Sequence, residues 1–150
     1  MVAMRFGTNK LAEQETASGA EPTETVLWSN SDRTVSFSAQ DVTLSQSVDS
    51  FKYLRVVYAY TTTSSESSFR EVIIPVWNSE KTAYMYQYVS SSNTGYRAAL
   101  CLKNSSNVTR ARTFWILEGG EKVHFFACSN VGSSGTSNTG CIPVYIYGIK

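Results

Sequence analysis

The stretch Phe51-Lys52-Tyr53-Leu54-Arg55-Val56-Val57-Tyr58-Ala59-Tyr60 decides how this chain is built. Leu54, Val56, Tyr58 and Tyr60 fall on one side of an extended backbone, and Tyr53, Arg55, Val57 and Ala59 on the other. Successive side chains of a strand point to opposite faces, so a period of two turns one face to a core and the other toward solvent. β-branched and aromatic residues dominate the stretch, and a pleated surface suits them better than a helix does. The same alternation recurs further along. Tyr96, Ala98, Leu100 and Leu102 oppose Arg97, Ala99 and Cys101; Val123, Phe125 and Ala127 share a side; so do Ile142, Val144 and Ile146.

Ten segments read as strands: 25–29, 34–38, 41–45, 53–60, 69–77, 82–89, 96–102, 108–117, 122–128 and 142–149. Between them stand turn-forming clusters: Ser29-Asn30-Ser31-Asp32, then 61–68, 90–95 and 103–107, Glu118-Gly119-Gly120-Glu121, and 129–140. Glu118-Gly119-Gly120-Glu121 predicts a tight hairpin. Val35 and Phe37 occupy odd positions whereas Val42 and Leu44 occupy even ones, a slip of phase near Ala39-Gln40 that predicts a bulge or a bend between sheets. No segment keeps a helical period for three turns. The expected fold is an all-β antiparallel sandwich, jelly-roll-like, over residues 24–150. Residues 1–23 hold few large apolar side chains after Phe6, together with Gly19 and Pro22. They read as an extended N-terminal arm or anchor, held by a neighbouring subunit or partner.

Composition agrees. The 150 residues suffice for one domain with a buried core. Charged residues are 17%, below the usual quarter, and the deficit is filled by 22 Ser and 15 Thr. Such a surface is solvated by hydroxyls rather than by charge. A net charge of +1 with no basic run argues against nucleic acid. Met1 to Gly7 lacks the apolar core of a signal peptide, and no segment reaches the roughly 18 apolar residues that span a bilayer. The expectation is a soluble protein made in a cytosol. Cys101, Cys128 and Cys141 have irregular spacing and no C-x-x-C, which argues against zinc. Cytosolic synthesis favours three reduced thiols, while Cys128 and Cys141 flank a loop and could pair in an oxidising medium.

Residues for catalysis are sparse. His124 is the only histidine and lies between the core-type residues Val123 and Phe125, so it reads as structural rather than as the base of a triad. The carboxylates are scattered through the tail, loops and strand ends; Glu71, beside Arg70, is the one inside a strand and reads as charge-paired or exposed. No calcium loop or phosphate loop is present, and 132–140 has glycines without a lysine or a following helix. The sequons at Asn104 and Asn107 have no secretion signal to give them meaning. The expectation is no enzyme, no cofactor and no metal. Tyr84, Tyr86 and Tyr88 form a stripe on one face of a strand with Trp77 just before it. Aromatic stripes stack on sugars or anchor interfaces. They also line cores, and the weak opposite face of Ala83, Met85, Gln87 and Val89 favours a core or a subunit interface here.

Two segments carry a resemblance. Thr25-Val26-Leu27-Trp28-Ser29-Asn30, followed by Val35-Ser36-Phe37-Ser38-Ala39-Gln40-Asp41-Val42-Thr43-Leu44 and then by Phe51-Lys52-Tyr53-Leu54-Arg55-Val56-Val57-Tyr58, resembles the opening of small β-sandwich virion proteins of phages and prophages of Gram-positive bacteria. The closing Ile142-Pro143-Val144-Tyr145-Ile146-Tyr147-Gly148-Ile149-Lys150 is similar to their usual ending. The resemblance covers about half of the chain. It implies a tail-fibre, baseplate or head-fibre β-domain, often trimeric and displayed on the particle, with no catalytic residues. It also implies contact with other virion proteins, for which residues 1–23 are the natural anchor, and a choice between binding a host cell-wall glycan and serving as decoration or joint. A cellular carbohydrate-binding module is the competing class.

Overall fold

A computed structural model describes residues 20–66, 69–76, 98–103, 109–117, 119–130 and 135–150. Nine strands follow in chain order: β1 Glu24–Ser29, β2 Gln40–Thr43, β3 Tyr53–Thr61, β4 Phe69–Pro75, β5 Ala98–Lys103, β6 Thr109–Ile116, β7 Lys122–Phe125, β8 Ser129–Asn130 and β9 Gly140–Ile149. A 3-10 turn at Val48–Ser50 joins β2 to β3, with the Ser47 side chain accepting from the Asp49 N–H. The fold is an all-β sandwich of two antiparallel sheets, one ordered β1-β9-β3-β4 and the other β2-β7-β6-β5, with β8 also on β6.

The decisive stretch behaves as its pattern predicts. Leu54, Val56 and Tyr58 of β3 face the core, Tyr53 and Arg55 do not, and a register shift after Val57 brings Val57 and Ala59 into burial as well. Ile142, Val144 and Ile146 extend the same wall from the adjacent strand β9. The second sheet contributes Leu100, Phe114, Ile116, Val123 and Phe125. Trp28, Phe37 and Phe125 fill the space between the sheets with ring centroids about 6 Å apart, in the edge-on and tilted contacts aromatic quadrupoles favour. Gly148 is where Phe51 crosses the first sheet: a Cβ there would come within 2.5 Å of the ring.

β6 and β7 are joined by the expected tight hairpin, of which Gly119, Gly120 and Glu121 are described. Gly119 and Gly120 take φ of 87° and 70°, and the Leu117 N–H donates to the Lys122 carbonyl. The phase slip near Ala39-Gln40 is the crossing from the first sheet to the second, since β1 and β2 lie in different sheets. Segment 34–38 is a correction: it is a loop, not a strand. Asp32 Oδ1 accepts from both the backbone N–H and the hydroxyl of Thr34, and the Phe37 N–H donates to the Asn138 carbonyl, so these groups have partners outside any ladder. The strand expected over 122–128 ends at Phe125. The segment expected at 82–89 and residues 1–19 of the expected arm lie outside the described residues.

The start of the first strand meets the last residues. β1 pairs with β9 from Glu24 opposite Ile149, and the Lys150 N–H donates to the Thr23 carbonyl. Cys128 and Cys141 are buried thiols behind β6. Among the described residues no helix is long and apolar enough to cross a membrane.

Candidate functional surface and cleft

Two regions stand out from the hydroxyl-rich surface. The first is the outer face of the four-stranded sheet. The register places Val26, Tyr147, Arg55 and Ile73 side by side across β1, β9, β3 and β4, with Tyr53 one pair away and Tyr145 opposite Val57. Val26, Tyr53 and Ile73 are each about half exposed (50%, 47% and 53%) although large and apolar. Arg55 lies at the centre. It donates from Nε and Nη2 to the Glu24 carboxylate at 2.8 and 2.6 Å, and from Nη1 to Glu71 at 3.0 Å. Its guanidinium lies 4.2 Å from the centre of the Tyr147 ring, and Tyr145 packs against Tyr147. These hydrogen bonds hold the Glu24 carboxyl below the usual carboxylate range and raise the Arg55 guanidinium. The guanidinium is thus paired twice within the sheet, and the second carboxylate leaves the cluster with a net charge of −1. What remains presented is tyrosine, aliphatic side chain and a paired arginine, the composition of protein contact surfaces.

The second region is a cleft of about 410 Å³ where the chain crosses between the sheets. Trp28, Asn30, Asp32, Gln40, Asp41 and Thr43 are among its lining residues. Several of these groups build the loop: Asn30 donates from its amide to the Pro143 carbonyl and accepts from the Asp32 N–H, and Asp32 pins Thr34. Thr34's bonds hold the Asp32 carboxyl low. Asp41 Oδ1 is 2.6 Å from His124 Nδ1 across the β2–β7 pair, and the His124 ring stands edge-on to Phe126. An indole beside hydroxyls, amides and carboxylates suits a polyhydroxylated ligand, since rings stack on sugar faces while oxygens accept from sugar hydroxyls.

The sequence-expected contact residues Trp77, Tyr84, Tyr86 and Tyr88 lie outside the described residues. Glu71 is charge-paired, with Arg55 of the neighbouring strand rather than with Arg70. Tyr145, Tyr147 and Arg55 were not singled out from sequence, although the alternation that put Arg55 opposite Leu54 and Val56 carries the signal. Among the described residues no cluster of three or more His, Cys, Asp or Glu could hold a metal ion. No family model and no curated protein matches this chain.

Proposed function

We propose that this chain is a bacteriophage virion structural protein whose β-sandwich is displayed on a tail fibre, baseplate or head fibre and which assembles with copies of itself, a trimer being favoured. The observation that carries this reading is the outer face of the first sheet. Large exposed apolar patches on soluble proteins mark interaction sites. This one has its central cation already satisfied by Glu24 and Glu71, so a second copy can cover the guanidinium without stranding it, provided the half-exposed carboxylates stay at the wet rim of the contact. Most of the segments that carry the resemblance to phage β-domains build this sheet: β1, β9 and β3 are three neighbouring strands of its four, while the stretch that holds β2 belongs to the other sheet. Residues 1–23 are the proposed link to other virion proteins, and the jelly-roll-like arrangement belongs to the same proposal. The protein works by contact, without catalysis. Solution mass tests it. The expected result is a multimer that Ile73→Asp dissociates without unfolding; a wild-type monomer, alone and with its virion partners, refutes it.

The polar cleft favours a second role on the same particle, adhesion to a host cell-wall glycan. Purified host cell walls should retain the protein and lose it on Gln40→Ala/Thr43→Ala. Undiminished retention of that variant removes the cleft from the reading, and loss in Tyr84→Ala/Tyr86→Ala instead assigns adhesion to the tyrosine stripe. If neither pair matters and nothing binds, decoration or joining without a host ligand is the role. A cellular carbohydrate-binding module predicts glycan binding by a monomer.

A further inference from the structure

A group of reactive side chains lies in the core, none of them lining the outer face or the cleft, with Arg112 stacked beneath the cleft residue Phe37. Cys128 follows β7 and Cys141 is the second residue of β9; both are fully buried. Between them the chain turns back on itself: the Ser137 N–H donates to the Cys128 carbonyl at 2.7 Å, and the Gly140 N–H to the Ser137 carbonyl. This brings the two thiols within reach of each other, while the Cys141 thiol donates to the Arg110 carbonyl at 3.6 Å and the Cys128 thiol points to the Ser129 carbonyl at 4.0 Å. Gly140 permits the approach, because a Cβ there would fall 2.7 Å from Cys128 Sγ. Cys141 takes φ of 43°, a left-handed conformation uncommon outside glycine and asparagine, and Arg112 fixes it by donating from Nε to the Cys141 carbonyl at 2.9 Å.

Arg112 is the buried charge of the core. Its guanidinium also donates to the carbonyls of Phe126 and Gly140, and carbonyls rather than carboxylates are its hydrogen-bond acceptors. Burial lowers its pKa, and the nearby thiols oppose that shift. The interaction with the Cys141 side chain, and then the charges of Arg112 and Arg110, pull the Cys128 thiol down to about 7 against the opposing effect of its burial. A thiolate is the reactive form of cysteine, so this pair is primed for oxidation in a way an isolated buried thiol is not.

We propose that Cys128 and Cys141 are an oxidation site, converted by a small peroxide into an intramolecular disulfide that clamps the base of the 129–139 segment. The Cys128 thiolate attacks one peroxide oxygen, the O–O bond breaks, and the departing hydroxide takes up the thiol proton as water, leaving a sulfenic acid. The Cys141 sulfur then attacks the Cys128 sulfur, the S–O bond breaks, and the hydroxyl leaves with the Cys141 proton as a second water. Two thiols are oxidised and one peroxide is reduced to two waters. Burial of both sulfurs selects an oxidant of this size over a bulky disulfide such as oxidised glutathione.

The test uses the full chain, reduced, freed of reductant and treated with hydrogen peroxide, followed by thiol titration after denaturation and by peptide mapping. Titratable thiols should fall from three to one, the mass should drop by two hydrogens, and the linked peptides should contain Cys128 and Cys141. Cys101→Ser should still lose two thiols, whereas Cys128→Ser and Cys141→Ser should form no intramolecular link. The oxidised protein should melt higher than the reduced one and revert with dithiothreitol. The proposal fails if all three thiols survive an exposure that oxidises the denatured chain, if the link includes Cys101, or if Cys128 proceeds to sulfinic acid without a link.

Discussion

Arg112 brings a formal charge into a core otherwise built of apolar side chains, chiefly Leu, Ile, Val and Phe. It is tolerated because each of its three nitrogens donates to a backbone carbonyl, so none of them is buried unpaired. Arg112→Met keeps much of the volume and removes the donors. It should cost on the order of 3–5 kcal/mol, measured by urea denaturation with the m-value unchanged, since several buried polar groups lose their partner at once. Gly148→Ala makes the opposite test. Its methyl group would press on the buried Phe51 ring, and overpacking of this kind costs about 1–3 kcal/mol. Arg112 was readable in part: it shares a phase with Phe114 and Ile116 in β6, which marks it as inward-facing. Its acceptors were not readable, because they come from the 126 and 140–141 positions, brought to it only by tertiary folding.

At the scale of elements, the network around Arg55 ties β1, β3 and β4 together across the outer face, passing over β9. Glu24's carboxyl is held low in the folded protein, so its contribution is present above its usual value of 4.5 and is lost as pH falls through the lowered one. Arg55→Ala should therefore be less stable than wild type at neutral pH, by about 1 kcal/mol at low salt because the pair is partly solvated. The electrostatic part of the difference should shrink in acid and in high salt, as urea or thermal denaturation across pH will read, while the part due to stacking on Tyr147 persists. Element boundaries were legible where local chemistry fixes them. The Gly119-Gly120 turn needs positive φ and could be read directly. Segment 34–38 could not: Val35 and Phe37 share a phase in the sequence, yet Phe37 is buried and Val35 exposed, and the hydrogen bonds of Asp32 and Thr34 divert the backbone before a ladder forms. The strand expected over 122–128 stops at Phe125, and the Phe126 carbonyl beyond it is engaged by Arg112.

For the whole molecule, the two sheets and their inward faces followed from period two, whereas sheet order did not, because pairing of residues more than a hundred positions apart leaves no local trace. The same limit hid the contact surface. Each strand showed its outward residues, yet only the register assembles Val26, Tyr147, Arg55 and Ile73 into one band. Association through that band should be weakened by Ile73→Asp and by Val26→Asp alike, with melting temperature nearly unchanged in the isolated subunit; sedimentation of both variants checks this.

The hydrogen bond from Lys150 to Thr23 closes the sandwich into something close to a loop. A chain whose entry and exit share one corner can be spliced into a turn of another protein without pulling either fold apart. A circular permutant that joins Lys150 to Thr23 by a short glycine-serine linker, and opens the chain in the exposed 64–66 stretch, should keep its far-ultraviolet spectrum and cooperative melting. Grafted into a surface turn of a carrier, the same segment would stand out like a stud on a two-legged base, with the opposite end of both sheets free to meet whatever approaches.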